Sequence, residues 1–587
     1  MPDQFAAVDE LAEAFQRGGS QPGIAYGIVA GGQLVHGGGC GERWLGGPTP
    51  DATTVFRIAS MTKSFTAAAV LALRDEGRLA LDDPAAAYLP ELRGVRLPTA
   101  DSPPVSIRHL LTMTAGFPTD DPWGDRQQGL PLGSFAELLA AGPSFAWVPG
   151  TRFEYSNLGY AILGRIITAV TQMSYPAFVT ARLLRPLGMT RTGFDTAQFG
   201  ALELARGYRR GPDRWEELVP DRTGAFAPMG GVFSCVADLA RWVSGFAAAF
   251  PPGESAAGGP HPLARATRRE MQLPQALPAP PAAGRLPGDP AAGGLVGYGF
   301  GLFVDEHPRG RVAGHSGGYP GFGSNMRWHL PTGLGVIVLA NSTYAAAPVL
   351  AARLLDTVLR RDAPARAEAD GPAVLASAGA PGGPWPATLT AQREVTRLLG
   401  GWTDAEGDRL FSPNVAQDLP YPERRRGIEL LRERAGRLEV ATDRPAEFDS
   451  PAHCRWWLAG ERAVVQAEIQ LTPEPDPRVQ SFTLAVPPAP DGPLGQVVDA
   501  LLALLNGGAR DWPATLPVTG SVMTGVLLRQ LRMAAAWAGP CRLGAFRAGN
   551  GETSTTVQLE GETGRLLLAA VISPAGHLRQ ADILVQH

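Results

Sequence analysis

The stretch 56-FRIASMTKSFTAAAVLALR-74 carries the strongest structural signal in this chain. Residues 64–74 are rich in Ala and Leu and contain neither Gly nor Pro, which predicts a buried helix. Ser60 and Lys63 stand at the start of that helix. Because residues i and i+3 of a helix share one face, the lysine amine is expected beside the serine hydroxyl.

This pairing has a chemical reason. Serine is a weak nucleophile that needs a neighbouring base, and a buried amine can lose its proton near neutral pH. The start of a helix also directs backbone N–H groups at developing negative charge. Lys63 is the only lysine among 52 Lys and Arg residues. A guanidinium stays charged and cannot replace it as a proton acceptor. Ser-x-x-Lys alone, however, occurs in many helices by accident.

A second motif, Tyr155-Ser156-Asn157, follows the turn Pro149-Gly150 and precedes a predicted helix over 159–171. A phenolate at Tyr155, held near the lysine, could take the serine proton and return it to a leaving group. Asn157 could orient the lysine and bind a substrate carbonyl. Taken alone, a helix cap formed by Ser156 or Asn157 is the simpler interpretation.

A third motif, His315-Ser316-Gly317-Gly318, precedes two strand-like runs at 327–330 and 335–341. We expect an edge strand here that pairs with an extended substrate, the glycines permitting close backbone approach. The N–H groups of Gly318 and Ser60 could form an oxyanion hole. In isolation, a structural histidine would be the better explanation of His315.

The same segment contains a competing motif. Residues 314–318 match Gly-x-Ser-x-Gly, the nucleophile elbow, which requires a strand before it and a helix directly after it. Strand-like sequence follows instead, which disfavours the elbow. The glycine spacing lacks the α/β unit of a dinucleotide site, so no cofactor is expected. Four nearby aromatic residues either shape the pocket or belong to the core: Phe117, Trp123, Tyr319 and Phe322.

The three motifs, in this order, resemble the serine β-lactamase and penicillin-binding-protein superfamily. The resemblance is greatest to the branch of AmpC-type β-lactamases, D-alanyl-D-alanine carboxypeptidases, D-aminopeptidases and related esterases. It covers roughly residues 5–360. Four further segments support it: IRHLLTMTAG at 107–116, PGT at 149–151, GGVFS at 230–234 and YGFGL at 298–302.

The resemblance implies a serine β-lactamase-like fold of the α/β (α+β) class, an antiparallel sheet flanked by helices with a helical lobe. The site would lie in the cleft between them. It implies a metal-free serine hydrolase that forms an acyl-enzyme, with no cofactor. The catalytic residues would be Ser60, Lys63 and Tyr155. The substrate-binding residues would be Asn157, His315, Ser316, Gly317 and Gly318.

One departure from the family pattern bears on the substrate. β-Lactamases and carboxypeptidases commonly have Lys where His315 stands, and a neutral His attracts a carboxylate less strongly. Amide, peptide (including D-amino-acid) or ester substrates are therefore favoured over β-lactams. Three alternatives remain open: a true β-lactamase, a non-catalytic sensor of peptides or muropeptides, and a partner-binding role for the C-terminal half.

The chain divides by composition. Residues 1–361 form the predicted hydrolase domain, with an insertion or flap at 250–294, and the Pro/Gly/Ala-rich stretch 362–388 is the predicted linker. Residues 389–490 are interpreted as a small β-rich domain. Residues 491–587 are interpreted as an α+β, cystatin-like domain. Strands are predicted at 437–441, 454–458, 463–470, 481–486, 541–548, 554–559 and 565–572, and helices at 494–506 and 523–537.

Composition excludes several function classes. A net charge of −4 favours neither nucleic acid nor an anionic membrane. The four cysteines are far apart and no HExxH is present, so neither a disulfide framework nor a metal site is indicated. The first residues lack a secretory pattern and no apolar run reaches about 18 residues. We therefore expect a cytoplasmic protein whose partner is a small-molecule or peptide substrate; its oligomeric state stays open.

Overall fold

The computed structural model describes most of the chain, and its residues group around separate hydrophobic cores. The described ranges are 5–18, 21–211, 214–250, 261–278, 296–307, 309–362, 383–441, 446–448, 450–461, 464–486, 492–507, 512–513, 515–518, 524–549, 554–562, 564–573 and 576–586. We refer to residues 5–362 as the first unit, 383–486 as the second unit and 492–586 as the third unit. Most of the predicted linker and flap lies outside the described residues.

The first unit alternates between helical and strand segments. Its helices are α1 (Ala6–Arg17), α2 (Thr62–Asp75), α3 (Ala85–Tyr88), α4 (Ile107–Leu111), α5 (Asp121–Asp125), α6 (Leu132–Ala141), α7 (Asn157–Thr171), α8 (Tyr175–Val179), α9 (Ala227–Gly230), α10 (Val236–Ala247), α11 (Arg265–Met271) and α12 (Ala347–Asp362). Its strands are β1 (Gly23–Ala30), β2 (Gln33–Gly41), β3 (Phe56–Arg57), β4 (Gly207–Arg210), β5 (Trp215–Leu218), β6 (Phe233–Ser234), β7 (Val296–Tyr298), β8 (Phe303–His307), β9 (Gly310–Tyr319), β10 (Phe322–His329) and β11 (Gly335–Ala340).

Distant segments assemble one antiparallel sheet, as predicted. Its seven strands run in the order β2-β1-β11-β10-β9-β8-β7. Strand β1 pairs with β11, with Tyr26 opposite Val338, so the first strands of the chain join the last strand of the unit. The antiparallel sheet with flanking helices agrees with the predicted fold class.

Side-chain alternation places apolar residues on both faces of this sheet. Ile24, Ile28 and Val338 pack with α1 and α12 on one face. Ala25 and Ile337 lie on the other face, in the large core that continues into the helices between β2 and β7. Helix α2 runs through that core, and every residue from Thr62 to Leu73 is buried. The buried helix predicted from its Ala/Leu run is confirmed.

Strand β9 has a neighbouring strand on both sides in its first half and on only one side at its end. Its pairing with β8 stops at Gly314, opposite Phe303. From His315 to Tyr319 the described residues give it only β10 as a strand neighbour. The expected edge strand is therefore an inner strand whose last five residues have an open edge. Because β10 follows directly, the helix that a nucleophile elbow requires is absent and that interpretation is excluded.

The second unit is a helical layer on a four-stranded sheet. It contains α13 (Pro386–Gly400), α14 (Asp404–Leu410), α15 (Pro413–Asp418), α16 (Tyr421–Ala435), β12 (Glu439–Val440), β13 (His453–Ala459), β14 (Val464–Leu471) and β15 (Val479–Ala485), and the strands pair in chain order. All four strands are predicted from the sequence. The helices are not, although Ala391, Val395 and Leu398 have helical spacing and are buried. The unit is therefore α+β, with its β-rich part confined to the second half.

The third unit has two helices and a second four-stranded sheet. It contains α17 (Gly492–Gly507), α18 (Thr524–Ala538), β16 (Cys541–Gly549), β17 (Ser554–Gly561), β18 (Arg565–Ile572) and β19 (Leu578–Gln586). Both helices and three strands are predicted from the sequence, and β19 is not. The cystatin-like resemblance stays a prediction. No helix in the described part of the chain combines the length and apolarity needed to cross a membrane.

Candidate active site

Ser60 lies at the mouth of α2 on a tight turn. A 3-10 turn over Ala59–Met61 leads directly into the helix, and Ala59 has a left-handed φ of 48°. A positive φ is uncommon for a residue with a Cβ and indicates a turn that its surroundings hold in place. Strand β9 supplies part of that hold: a Cβ on Gly317 would lie 2.3 Å from the carbonyl oxygen of Ile58. Ser60 itself is 8% exposed.

Lys63 lies one helical turn beyond Ser60, as predicted. Its Nζ is 3.0 Å from Ser60 Oγ, 2.6 Å from Asn157 Oδ1 and 2.9 Å from the carbonyl oxygen of Met229. The side chain is fully buried. Three oxygens therefore surround the amine, and one of them is the hydroxyl of the candidate nucleophile.

Burial determines the protonation of this amine. It lowers the pKa of Lys63 from 10.5 to about 8, while the charges of Asp121, Asp125 and Asp120 oppose the change by raising it. At pH 7 a group with that pKa is neutral in about one molecule in ten. A usable fraction of the protein thus carries a free amine beside the Ser60 hydroxyl.

Asn157 is held on both sides of its amide. Its Oδ1 accepts from Lys63 and its Nδ2 donates to Asp121 Oδ1 at 2.8 Å. Asp120 accepts from the backbone N–H groups of Asn157 at 2.6 Å and Leu158 at 2.9 Å, and so caps the start of α7. Asn157 has no exposed surface. This arrangement supports the predicted lysine-orienting role and leaves no direct route to a substrate carbonyl.

Tyr155 completes the cluster. Its ring centroid is 4.8 Å from Lys63 Nζ, and its oxygen can accept a hydrogen bond from the Ser60 hydroxyl. Burial raises the pKa of Tyr155 well above 10, with the charge of Asp121 acting in the same direction and the Ser60 hydrogen bond opposing it. The phenol is therefore neutral at physiological pH, which disfavours the predicted phenolate base and makes Tyr155 a proton donor.

His315 forms part of the opposite wall. Burial lowers its pKa to about 3, with the charge of Lys63 acting in the same direction and a hydrogen bond to the Ser316 carbonyl opposing it. The ring is neutral, and its Nδ1 is 2.5 Å from that carbonyl oxygen and donates to it. Its Nε2 is buried without a partner among the described residues. It can accept a hydrogen bond from a substrate N–H or O–H.

A cavity of about 680 Å³ opens over Ser60. Tyr155, His315, Ser316 and Gly318 line it, together with aromatic residues at 153, 303 and 482. Asn157 and Gly317 lie behind its surface. The cavity size is typical of a site for a small molecule or a short peptide.

Sequence reasoning missed the acidic residues of this site. Asp121 and Asp125 line the cavity, and Asp125 Oδ2 accepts from the Tyr344 hydroxyl at 2.7 Å. The acidic run 120-DDPWGD-125 was an available signal. The four aromatic residues considered earlier, Phe117, Trp123, Tyr319 and Phe322, are each at most 3% exposed in the core, and none of them lines the cavity.

Comparison with known proteins supports the resemblance. The Beta-lactamase family model matches residues 8–359. Protein flp of Staphylococcus aureus strain NCTC 8325 is 30% identical over 244 residues, which are 41% of this chain and 48% of flp. The D-alanyl-D-alanine-carboxypeptidase/endopeptidase AmpH of Escherichia coli K12 is 28% identical over 261 residues, 41% of this chain and 62% of AmpH. The chain thus spans about half the length of the first of these relatives.

One solved structure resembles the whole chain. The octameric penicillin-binding protein homologue from Pyrococcus abyssi covers 100% of this chain and 99% of its own, with a TM-score of 0.53 and 18% identity. Because the two sequences are only 18% identical, the similarity is one of fold alone. It extends beyond residues 8–359 and includes the second and third units.

Proposed function

Because the chain belongs to the beta-lactamase family, we propose that it is a serine hydrolase that forms an acyl-enzyme on Ser60. The observation that carries this proposal is the 3.0 Å separation between Lys63 Nζ and Ser60 Oγ, with the pKa of the amine lowered by burial to about 8. A nucleophile and its base are thereby placed within proton-transfer distance.

Acylation begins with the neutral form of Lys63. The amine takes the Ser60 proton as Oγ attacks the substrate carbonyl, and the lysine becomes an ammonium. The tetrahedral oxyanion is stabilised by the N–H groups of Ser60 and Gly318, two residues that line the same cavity. Asn157 Oδ1, at 2.6 Å from Nζ, stabilises the ammonium as it forms.

Collapse of the intermediate needs a proton on the leaving group. The neutral phenol of Tyr155, which lies beside Lys63 and Ser60, donates it and is reprotonated by the Lys63 ammonium. The site then holds an ester on Ser60, a neutral lysine and a neutral phenol. Deacylation repeats these transfers in reverse, with water in place of the leaving group.

The neutral state of His315 affects which substrates the site can bind. No ammonium stands at that position to bind a carboxylate beside the scissile bond. The cavity over Ser60, at about 680 Å³, suits small amides, peptides including those with D-residues, or esters. Efficient hydrolysis of β-lactams is not expected.

A mass measurement tests the mechanism. Incubation with a fluorophosphonate should add one probe mass to the intact protein, and Ser60→Ala should stay unlabelled. Lys63→Arg, which keeps charge and length but cannot act as a base, should reduce hydrolysis of 4-nitrophenyl esters by about 10³-fold. Labelling of Ser60→Ala equal to that of the wild type would refute the proposal. A panel with D- and L-amino-acid p-nitroanilides and nitrocefin then defines the substrate class.

A further inference from the structure

The second unit forms one side of the cavity over Ser60. Residues of the second unit line the cavity together with Tyr155, His315 and Phe303 of the first unit; they are Val415, Asp418, Arg424, Gln480, Ser481 and Phe482. The cavity is therefore bounded by two units of the chain, and residues far beyond the three motifs contact whatever occupies it.

Several hydrogen bonds hold this wall against the first unit. Arg126 forms a salt bridge with Asp418 at 2.5 Å, and Ser144 Oγ donates to the Glu474 carbonyl at 2.8 Å. Gln480 bonds to the backbone of the first unit at two points. Two of these residues, Asp418 and Gln480, themselves line the cavity, so the position of the wall depends on how the two units dock.

Arg424 is the one permanent cation among the described residues that line the cavity. Its Nη1 donates to the Phe482 carbonyl at 3.0 Å and its Nη2 to the Val415 carbonyl at 3.2 Å. Its Nε is buried and has no partner among the described residues. None of these hydrogen bonds is an ion pair. The guanidinium carbon lies 5.7 Å from the Phe482 ring centroid, and the nearby charge of Asp418, which Arg126 already pairs, also acts on it.

The acidic residues of the cavity are already engaged. Asp418 is paired with Arg126 and also accepts from Asn414 Nδ2 at 3.2 Å. Asp121 accepts from Asn157, and Asp125 from Tyr344. Among these groups, Arg424 is left to interact with an anion.

We propose that the second unit forms the far wall of the substrate site and that Arg424 binds a carboxylate of the substrate there. The apolar part of the substrate would pack on Phe482 and Phe303, between that carboxylate and the carbonyl at Ser60. This inference rests on the proposed function, which makes Ser60 the residue that attacks the substrate carbonyl. It assigns the substrate class as an acyl compound with an anionic end remote from the scissile bond.

Three esters of equal acyl length test it. They are mono-4-nitrophenyl adipate, which is anionic, 4-nitrophenyl hexanoate, which is neutral, and 4-nitrophenyl 6-aminohexanoate, which is cationic. Arg424→Met should lower kcat/KM for the adipate ester about tenfold or more, because a desolvated charge pair is lost, and change the hexanoate value less than about threefold. Arg424→Lys should retain part of the preference for the adipate ester over the hexanoate ester. The neighbouring Arg425→Met, on the same helix as Arg424, removes an ion pair with Asp404 of α14 and should leave kcat/KM for all three esters unchanged.

A binding experiment tests this inference separately from the hydrolase proposal. In the Ser60→Ala background, calorimetry compares adipic acid mono-anilide with hexananilide, with and without Arg424→Met. Arg424→Met should weaken binding of the anionic anilide about tenfold and leave the affinity for the neutral anilide unchanged. Equal losses on all ligands, a preference for the cationic ester, or no measurable preference for the anion would overturn the carboxylate subsite. Absence of Ser60-dependent hydrolysis with intact anion binding would overturn the hydrolase proposal alone.

Discussion

The side chain of Gln480 in the second unit accepts a hydrogen bond from the backbone N–H of Trp123 in the first unit, at 3.1 Å. The same amide donates through Nε2 to the carbonyl oxygen of Thr119 at 3.0 Å. Gln480 therefore bridges the two ends of the loop that carries Asp120 and Asp121. Those carboxylates hold Asn157, and Asn157 holds the Lys63 amine. Hydrogen bonds, together with the backbone of residues 119–123, thus link β15 to the candidate nucleophile.

Replacing Gln480 should disturb catalysis from outside the first unit. Gln480→Leu removes both bridging bonds at similar volume, so the loop and the Asn157–Lys63 contact should lose alignment. We expect kcat to fall about tenfold with a smaller change in KM, since 1.4 kcal/mol of misalignment is a factor of ten. Steady-state kinetics on a neutral ester measure both values.

Ser144→Ala is the matched control for that substitution. It also removes a hydrogen bond between the two units, the 2.8 Å contact to the Glu474 carbonyl, but this contact does not lead to the Asp120–Asp121 loop. Comparable losses of kcat in both variants would mean that docking alone matters, and would contradict a specific role for Gln480.

The rate should rise with pH through about 8. Only the neutral amine of Lys63 accepts the Ser60 proton, and burial holds its pKa at about 8. The active fraction is therefore about one-tenth at pH 7, one-half at pH 8 and nearly complete at pH 9. A profile of kcat/KM from pH 5.5 to 9.5 measures this ascending limb. A flat rate between pH 6 and 9 would exclude Lys63 as the titrating base.

Asp121→Asn should shift the rise of kcat/KM with pH to lower pH values. The carboxylate raises the pKa of Lys63, so removing its charge leaves burial less opposed and lowers the pKa further. The asparagine Oδ1 still accepts from Asn157 Nδ2, which keeps the geometry. The pH profile of the variant, compared with that of the wild type, measures the displacement. A shift to higher pH would contradict the assigned electrostatics.

Gly317→Ala should damage the turn that presents Ser60. The new Cβ would meet the Ile58 carbonyl oxygen at 2.3 Å and Ser324 Oγ at 2.4 Å, so backbone must move. We expect a loss of about 1–3 kcal/mol in the free energy of unfolding, because overpacked sites cost that much, and a large loss of activity. Thermal melts and ester hydrolysis measure the two effects.

Gly133→Ala provides the comparison for that change. Its Cβ would have no neighbour within 4 Å, and it lies in helix α6. Alanine favours a helix over glycine, so stability should stay equal or rise slightly. Full activity in Gly317→Ala would show that β9 does not constrain the nucleophile turn.

The sequence alone predicted the parts of this protein that depend on local pattern. The helix after Ser60, the helix over 159–171 and the strands of the second unit follow from residue periodicity and composition, which act over a few residues. The identity of Lys63 as a candidate base followed from its spacing and from its being the only lysine. Helices α13 to α16 were not predicted, although Val395 and its neighbours have helical spacing and are buried.

Only the tertiary structure decided the protonation states and the extent of the cavity. Neutral forms of His315 and Tyr155 arise from burial, which depends on segments hundreds of residues apart. The amide of Asn157 is turned towards Lys63 because Asp121 holds its other end. Arg424 and Gln480 reach the cavity only because the second unit docks there. Spacing along a chain defines which side chains share a helix face, whereas solvent exclusion and inter-unit contacts exist only once the whole chain has packed.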